Sequence, residues 1–290
     1  MPYTKGLIGT YRRLYEDPPD ESHDGGQFWF HRTQNMIAVY MAGMPGAKFR
    51  RQENPDEYFV WPLFHRARVT AGDASVDVPA GSIVIVPPGD SSIELLEEGH
   101  VWLGFTSLSS DLIDRCPNKS EYDTPLAHVT PVVTWPEPVG GYRIRVYNLF
   151  DLPAGKPQCY VHRTAMTNFG YGFPAFSHAK PDTDLSPHFH DDFEQISLVH
   201  SGTHVYHMRR PWGRDGTKWM PDEHVVISTP GIAVAKPPDI HTIQVVSNGT
   251  PGGVLDFFSP VRWDYSTRKG MVTNSADYPV PSEPPTASRP

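Results

Sequence analysis

The chain has 290 residues, a formal charge of -8 and no dense stripe of lysine and arginine, so it has nothing to neutralise a phosphate backbone and nucleic acid is excluded as its main partner. No apolar run approaches the roughly 18 residues that a membrane span needs, and no basic-then-apolar leader opens the chain, so a cytoplasmic protein that handles small molecules is expected. Pro (31) and Gly (24) punctuate short apolar runs along the whole length, a rhythm of short strands joined by turns, and the expected class is all-β with room for two modest cores.

Residues 1–35 alternate polar and aromatic positions, broken at Asp17-Pro18-Pro19-Asp20 and Gly25-Gly26, and read as an N-terminal arm or edge strand. Alternating segments then fill 36–107, a first barrel or sandwich. Residues 108–157, with a short helix near Asp111 and a Pro-rich stretch at 131–138, read as a connection. The same strand rhythm returns over 158–265, and 266–290 form a Pro-rich tail. Cys116 and Cys159 are the two cysteines; both read as plain buried thiols, with a disulfide between them left open.

The two halves share more than rhythm. Ala80-Gly81-Ser82-Ile83-Val84-Ile85-Val86-Pro87-Pro88 corresponds to Pro230-Gly231-Ile232-Ala233-Val234-Ala235-Lys236-Pro237-Pro238 at a constant offset of 150 residues. Upstream, the strand opening at Glu57 corresponds to the one opening at Glu194. This is an internal duplication. Glu57 lies 24 residues before Gly81 and Glu194 lies 37 before Gly231, so about 13 extra residues near 209–223 are peculiar to the second half. Insertions of that kind sit in loops and can shape a pocket.

The second half also carries the chemistry. His188 and His190 are two apart, so on a strand they share a face; a turn at Asp191-Asp192 would bring Glu194 round to the same side, and His241 would close the set from a later strand. Imidazole and carboxylate donors suit Fe, Mn, Co, Ni, Cu or Zn. Both motifs, in this order, resemble those of the cupin superfamily: His-x-His, a glutamate three or four residues on and a glycine, then Gly, Pro and His. Gly202 comes one residue late, Asp239 stands where glycine is usual, and His241 comes one residue early. The resemblance implies two tandem cupin barrels (double-stranded β-helix, or jelly roll), with one divalent transition metal, Fe(II) favoured, held by His188, His190, Glu194 and His241. It also implies a homodimer.

The corresponding first-half positions are Arg51, Glu53, Glu57 and Ser91, which include a cation and no imidazole, so that half is expected to be metal-free with Arg51 paired to Glu53 or Glu57. A metal-free barrel lined by hydrogen-bonded histidines is the bland alternative for the second half. His204, Tyr206 and His207 are candidate catalytic groups; the inward face of their strand is left open, and His200 could equally be solvated or structural. Arg163, His178 and Lys180 are candidate substrate anchors, with ordinary surface charge as the alternative. Tyr160, Phe173, Phe176, Phe189 and Phe193 read chiefly as barrel filling. The expected function is a mononuclear non-haem Fe(II) oxygenase acting on a small organic molecule. The alternatives are a Lewis-acid isomerase, lyase or hydrolase without oxygen chemistry, and a non-catalytic small-molecule or sugar-binding module.

Overall fold

The computed structural model describes residues 6–151, 160–171, 184–246 and 252–285. Tyr58-Phe59-Val60-Trp61 shows how the chain chooses its layers. Side chains alternate across a strand, and here both faces are apolar: Tyr58 and Val60 enter the core of the first barrel, while Phe59 and Trp61 join a second core between the two halves. Its counterpart Glu194–Ser201 behaves likewise, with Ile196 and Leu198 in the shared core and Val199 in the core of the second barrel. A strand buried on both faces reads as a continuous apolar run, which explains the loss of a clean alternation in these segments.

Each half is two antiparallel sheets face to face. Among the described residues, a seven-stranded sheet covers a four-stranded one in the first, and a six-stranded sheet covers a three-stranded one in the second. The two large sheets pack back to back. Phe59 meets Phe169 edge-on at 4.6 Å between ring centroids, and Trp61 meets Phe169 at 5.1 Å, an aromatic seam across the duplication.

The segments expected to be an arm, a connection and a tail are all drawn into this frame, and they cross over. Thr10–Arg13 pairs with Gly231–Ala235 of the second half, whereas Gly26–Arg32 pairs with Met36–Gly43 of the first. Reciprocally, Arg145–Asn148, which precedes the second half, pairs with Ser82–Val86 of the first. Leu14 then donates its N–H to the Pro230 carbonyl and Leu149 to the Gly81 carbonyl, positions one residue apart in the duplicated segment of the two halves. The strand ahead of each half thus completes the sheet of the other. The supposed tail is tied in as well: Tyr278 is fully buried, and Asn274 exchanges two hydrogen bonds with the Arg163 backbone.

Candidate metal centre

The segment 184–193 runs beside the strand Ile240–Val245. His188 and His241 are directly opposed, each N–H bonding the other's carbonyl at 3.0 and 2.8 Å. Directly opposed residues put their side chains on one face, and the two rings lie 4.5 Å apart. His190, two residues on, brings its ring to 4.8 Å from that of His241 and 5.3 Å from that of His188. One ligand nitrogen from each of the three lies within 4.8 Å of the others.

Local bonds fix which nitrogen is offered. His188 Nδ1 donates to the Ser186 carbonyl at 3.0 Å and His241 Nδ1 to the Asp239 carbonyl at 3.3 Å, which leaves Nε2 of each ring as the bare donor. Arg210 pins the turn before His241 by a paired contact with the buried Asp239 carboxylate at 2.9 and 2.7 Å. His190 stacks on Phe193 at 4.1 Å and meets the edge of Phe258 at 6.1 Å. Burial, then the neighbouring His241, Arg262 and His188, pushes the His190 pKa down to about 2; burial, then His188, pushes that of His241 down to about 4. Both rings are therefore neutral at pH 7 with lone pairs available. His241 Nε2 is buried and has no hydrogen-bond partner among the described residues. Such an orphan costs about 1–3 kcal/mol unless something fills it, and a cation shared with the other two imidazoles fits that vacancy of bonding.

Glu194 is not with the histidines. Its carboxylate accepts from Tyr122 Oη at 2.8 Å and from the Gln34 backbone N–H at 2.7 Å, on the side of the strand that faces the first half. The reason is strand parity: Glu194 shares a face with Ile196 and Leu198 of the inter-barrel core, and Gln195 and Ser197 look into the barrel. Burial raises the Glu194 pKa, against the lowering effect of the Tyr122 and Gln34 bonds. The first half repeats the arrangement. Glu57 accepts from Tyr278 Oη at 2.8 Å and from the Ala165 N–H at 3.4 Å.

Arg51 also departs from expectation: it pairs with Asp111 at 2.5 and 2.9 Å and with Asn54 at 2.9 Å, while Glu53 is on the exposed edge and Glu57 is at the interface. Of the expected catalytic groups, His204 and Tyr206 are buried, while His207 is on the other face, bonded to His224 and Gln244 beside a cleft of about 570 Å³. His204 is four residues along its strand from Met208, the partner of His241, or roughly 13 Å at strand rise. It does not reach the triad. Its pKa is pushed down to about 4 by burial. His200 is on the inter-half face, its ring 5.9 Å from Phe64. Arg163 is fully buried over the Trp135 ring, donates to the Tyr278 carbonyl and serves the fold; His178 and Lys180 lie outside the described residues, as does Cys159. Cys116 is buried, and burial pushes its thiol up to about 12.

One interior group, Asp256, escaped sequence reasoning. Asp256 Oδ1 accepts from Ser197 Oγ at 2.6 Å and from Gln195 Nε2 at 2.9 Å, and burial pushes its carboxyl up to about 6 against those bonds and the charge of His188. Tyr206 lies close enough to feel the Asp256 charge, which, after burial, holds its phenol well above the usual range. The available signal was the polar pair Gln195 and Ser197 alternating with Ile196 and Leu198.

No protein-family model matches the sequence, and no curated protein matches it. In three dimensions the chain is similar to solved oxalate decarboxylases. A structure addressing substrate binding and a reaction-specificity switch in that enzyme is 15% identical, with a TM-score of 0.57 over 90% of this chain and 80% of the other. The Lactobacillus farciminis oxalate decarboxylase in complex with formate is 14% identical, with a TM-score of 0.56 over 89% and 88%. A Bacillus subtilis oxalate decarboxylase variant is 14% identical, with a TM-score of 0.55 over 90% and 79%. At such identity the likeness establishes the two-cupin fold.

Proposed function

We propose that this two-cupin chain is a metal-dependent enzyme, in which His188, His190 and His241 hold one divalent transition metal and the reaction is a lyase-type cleavage of a small organic acid. The observation that carries this reading is the buried Nε2 of His241, unpartnered among the described residues, converging with the imidazole of His188, whose Nδ1 is taken by the Ser186 carbonyl, and with that of His190, which burial holds neutral. Three imidazoles suit Mn, Fe, Co, Ni, Cu or Zn better than Mg or Ca. When bound, such a cation supplies a Lewis acid that polarises a substrate oxygen.

The chain's own residues supply the rest. Phe193 and Phe258 wall off one side of His190 and restrict water there. Asp256, with a carboxyl pushed up to about 6, is poised to hold or release a proton at its carboxylate oxygens near neutral pH, and Ser197 and Gln195 keep it in place. The cleavage reading is favoured over the oxygenase expected from the histidines because the solved structures of similar fold are decarboxylases, one of them a formate complex. The test is elemental analysis of protein purified without chelator, followed by product analysis on small mono- and dicarboxylic acids with and without oxygen. About one metal per chain and carbon dioxide release unaffected by anaerobic conditions are expected. Oxygen consumed in step with substrate would return the reaction to the oxygenase class.

A further inference from the structure

The glutamate expected to complete the centre faces the wrong way, which raises the question of what takes its place. We propose that Gln195 supplies the fourth protein donor, through its amide oxygen, so that the donor set is charge-neutral, and that Asp256 is the positioning residue that orients this amide. The inference rests on the metal reading above.

Four observations converge. Phe193, Gln195 and Ser197 share one face of the chain by their spacing, and Phe193 is stacked on His190 at 4.1 Å. Phe258, the cross-strand partner of Gln195, approaches the same imidazole at 6.1 Å, so Gln195 is bracketed by the two aromatics that hold His190. The first half gives an independent check on where the position points. Tyr58, the counterpart of Gln195, reaches Ser91, the counterpart of His241, at 2.9 Å. Finally, Gln195 Nε2 donates to Asp256 Oδ1 at 2.9 Å and to Ser197 Oγ at 3.1 Å, so the amide orientation is set by two acceptors and Oε1 is the end turned away from the carboxylate. Glu194 cannot substitute without breaking its bonds to Tyr122 and Gln34 and reversing the parity of the whole strand.

A neutral set leaves the double charge of the cation uncompensated by its own protein ligands. The substrate must then bring the negative charge, which selects anionic oxygen donors, above all carboxylates able to offer two oxygens, and disfavours neutral molecules.

The experiment is Co(II) titration of chelator-stripped full-length protein by calorimetry and visible absorption, followed by oxalate and acetate titration of the loaded protein. Gln195→Ala is expected to weaken Co(II) binding about tenfold or more and to alter its absorption bands. Gln195→Glu is expected to tighten Co(II) and weaken oxalate, because the added charge replaces that of the ligand. Asp256→Asn is expected to alter the Co(II) bands with a smaller loss of affinity. Glu194→Gln should leave Co(II) affinity within about twofold. Loss of Co(II) in Glu194→Gln together with unchanged binding in Gln195→Ala would overturn the assignment, and unchanged bands in Asp256→Asn would overturn its positioning role. Wild-type protein that binds no Co(II) would instead refute the metal reading on which the inference stands.

Discussion

Three imidazoles converge here because local contacts hold each ring, His188 and His241 by Nδ1 bonds to backbone carbonyls and His190 by stacking on Phe193. His241 is the clearest case, with Nδ1 occupied by the Asp239 carbonyl and Nε2 buried without a partner among the described residues. His241→Ala and His190→Ala are each expected to reduce bound metal, measured by elemental analysis, from about one equivalent to below about a tenth. A retained equivalent in either variant would remove these residues from the ligand set. Glu57 offers a different residue-level prediction. Burial pushes its carboxyl up to about 7 from an ordinary value near 4.5, against the lowering effect of the Tyr278 bond. A raised folded pKa means that ionisation costs stability: the cost is absent below about pH 4.5, grows as pH rises and is complete above about pH 7. Glu57→Gln should therefore gain stability over wild type as pH rises from 5 to 8, by about 3 kcal/mol at most, in urea denaturation at a series of pH values. Parallel pH profiles for the two proteins would refute it. At this scale the histidines were legible because imidazoles two apart on a strand have few structural reasons to recur. Glu194 misled because motif spacing allows either 194 or 195 to face inward, and only the neighbours Ile196 and Leu198 reveal the parity.

Between residue and molecule, the informative unit is a short helical turn following each half. Asn118-Lys119-Ser120-Glu121-Tyr122 and Asn274-Ser275-Ala276-Asp277-Tyr278 are a second internal repeat, offset by 156 residues. Asn118 bonds the Arg32 backbone and Tyr122 bonds Glu194; Asn274 bonds the Arg163 backbone and Tyr278 bonds Glu57. In both cases the receiving glutamate belongs to the opposite half, and its second donor, the N–H of Gln34 or Ala165, comes from a hairpin of the half that the tyrosine follows. Tyr122→Phe and Tyr278→Phe each leave a buried carboxylate short of one bond, and each should cost about 1–3 kcal/mol in denaturation without changing metal content. Loss of metal in Tyr122→Phe would mean that Glu194 serves the centre after all. The Gly-strand-Pro-Pro segment that recurs at an offset of 150 residues was visible in the sequence because Gly and Pro mark its ends. The tyrosine turns were not, since they fall in stretches read as connection and tail, where nothing periodic draws attention to them.

At the scale of the molecule, the two halves are joined by exchange as well as by contact. Besides pairing with Gly231–Ala235, the N-terminal segment places Ile8 in the second barrel's core and lends the Ile8 and Gly9 N–H groups and the Tyr11 hydroxyl to Glu223. Deleting residues 6–14 should expose the edge of Gly231–Ala235 and open that core, so the shortened protein is expected to aggregate or to lose several kcal/mol, as read by size-exclusion chromatography and denaturation. A truncated chain that stays monomeric with an unchanged midpoint would show the segment to be dispensable. The sequence conveyed two barrels and placed the histidines in the right one, but a segment's position in the chain cannot say which sheet it joins when both offer equivalent edges.

That exchange has a thermodynamic consequence. If each half completes its sheet with a strand from the other and seats its buried glutamate in the other's hairpin, neither half possesses a stable state of its own to fall back on. Heating should then produce one calorimetric peak whose measured enthalpy equals the van't Hoff enthalpy, as for a small single domain, despite the duplicated architecture. Selection on the half that carries the histidine triad would be felt in the other half too, because a substitution that loosens either is registered as instability of both.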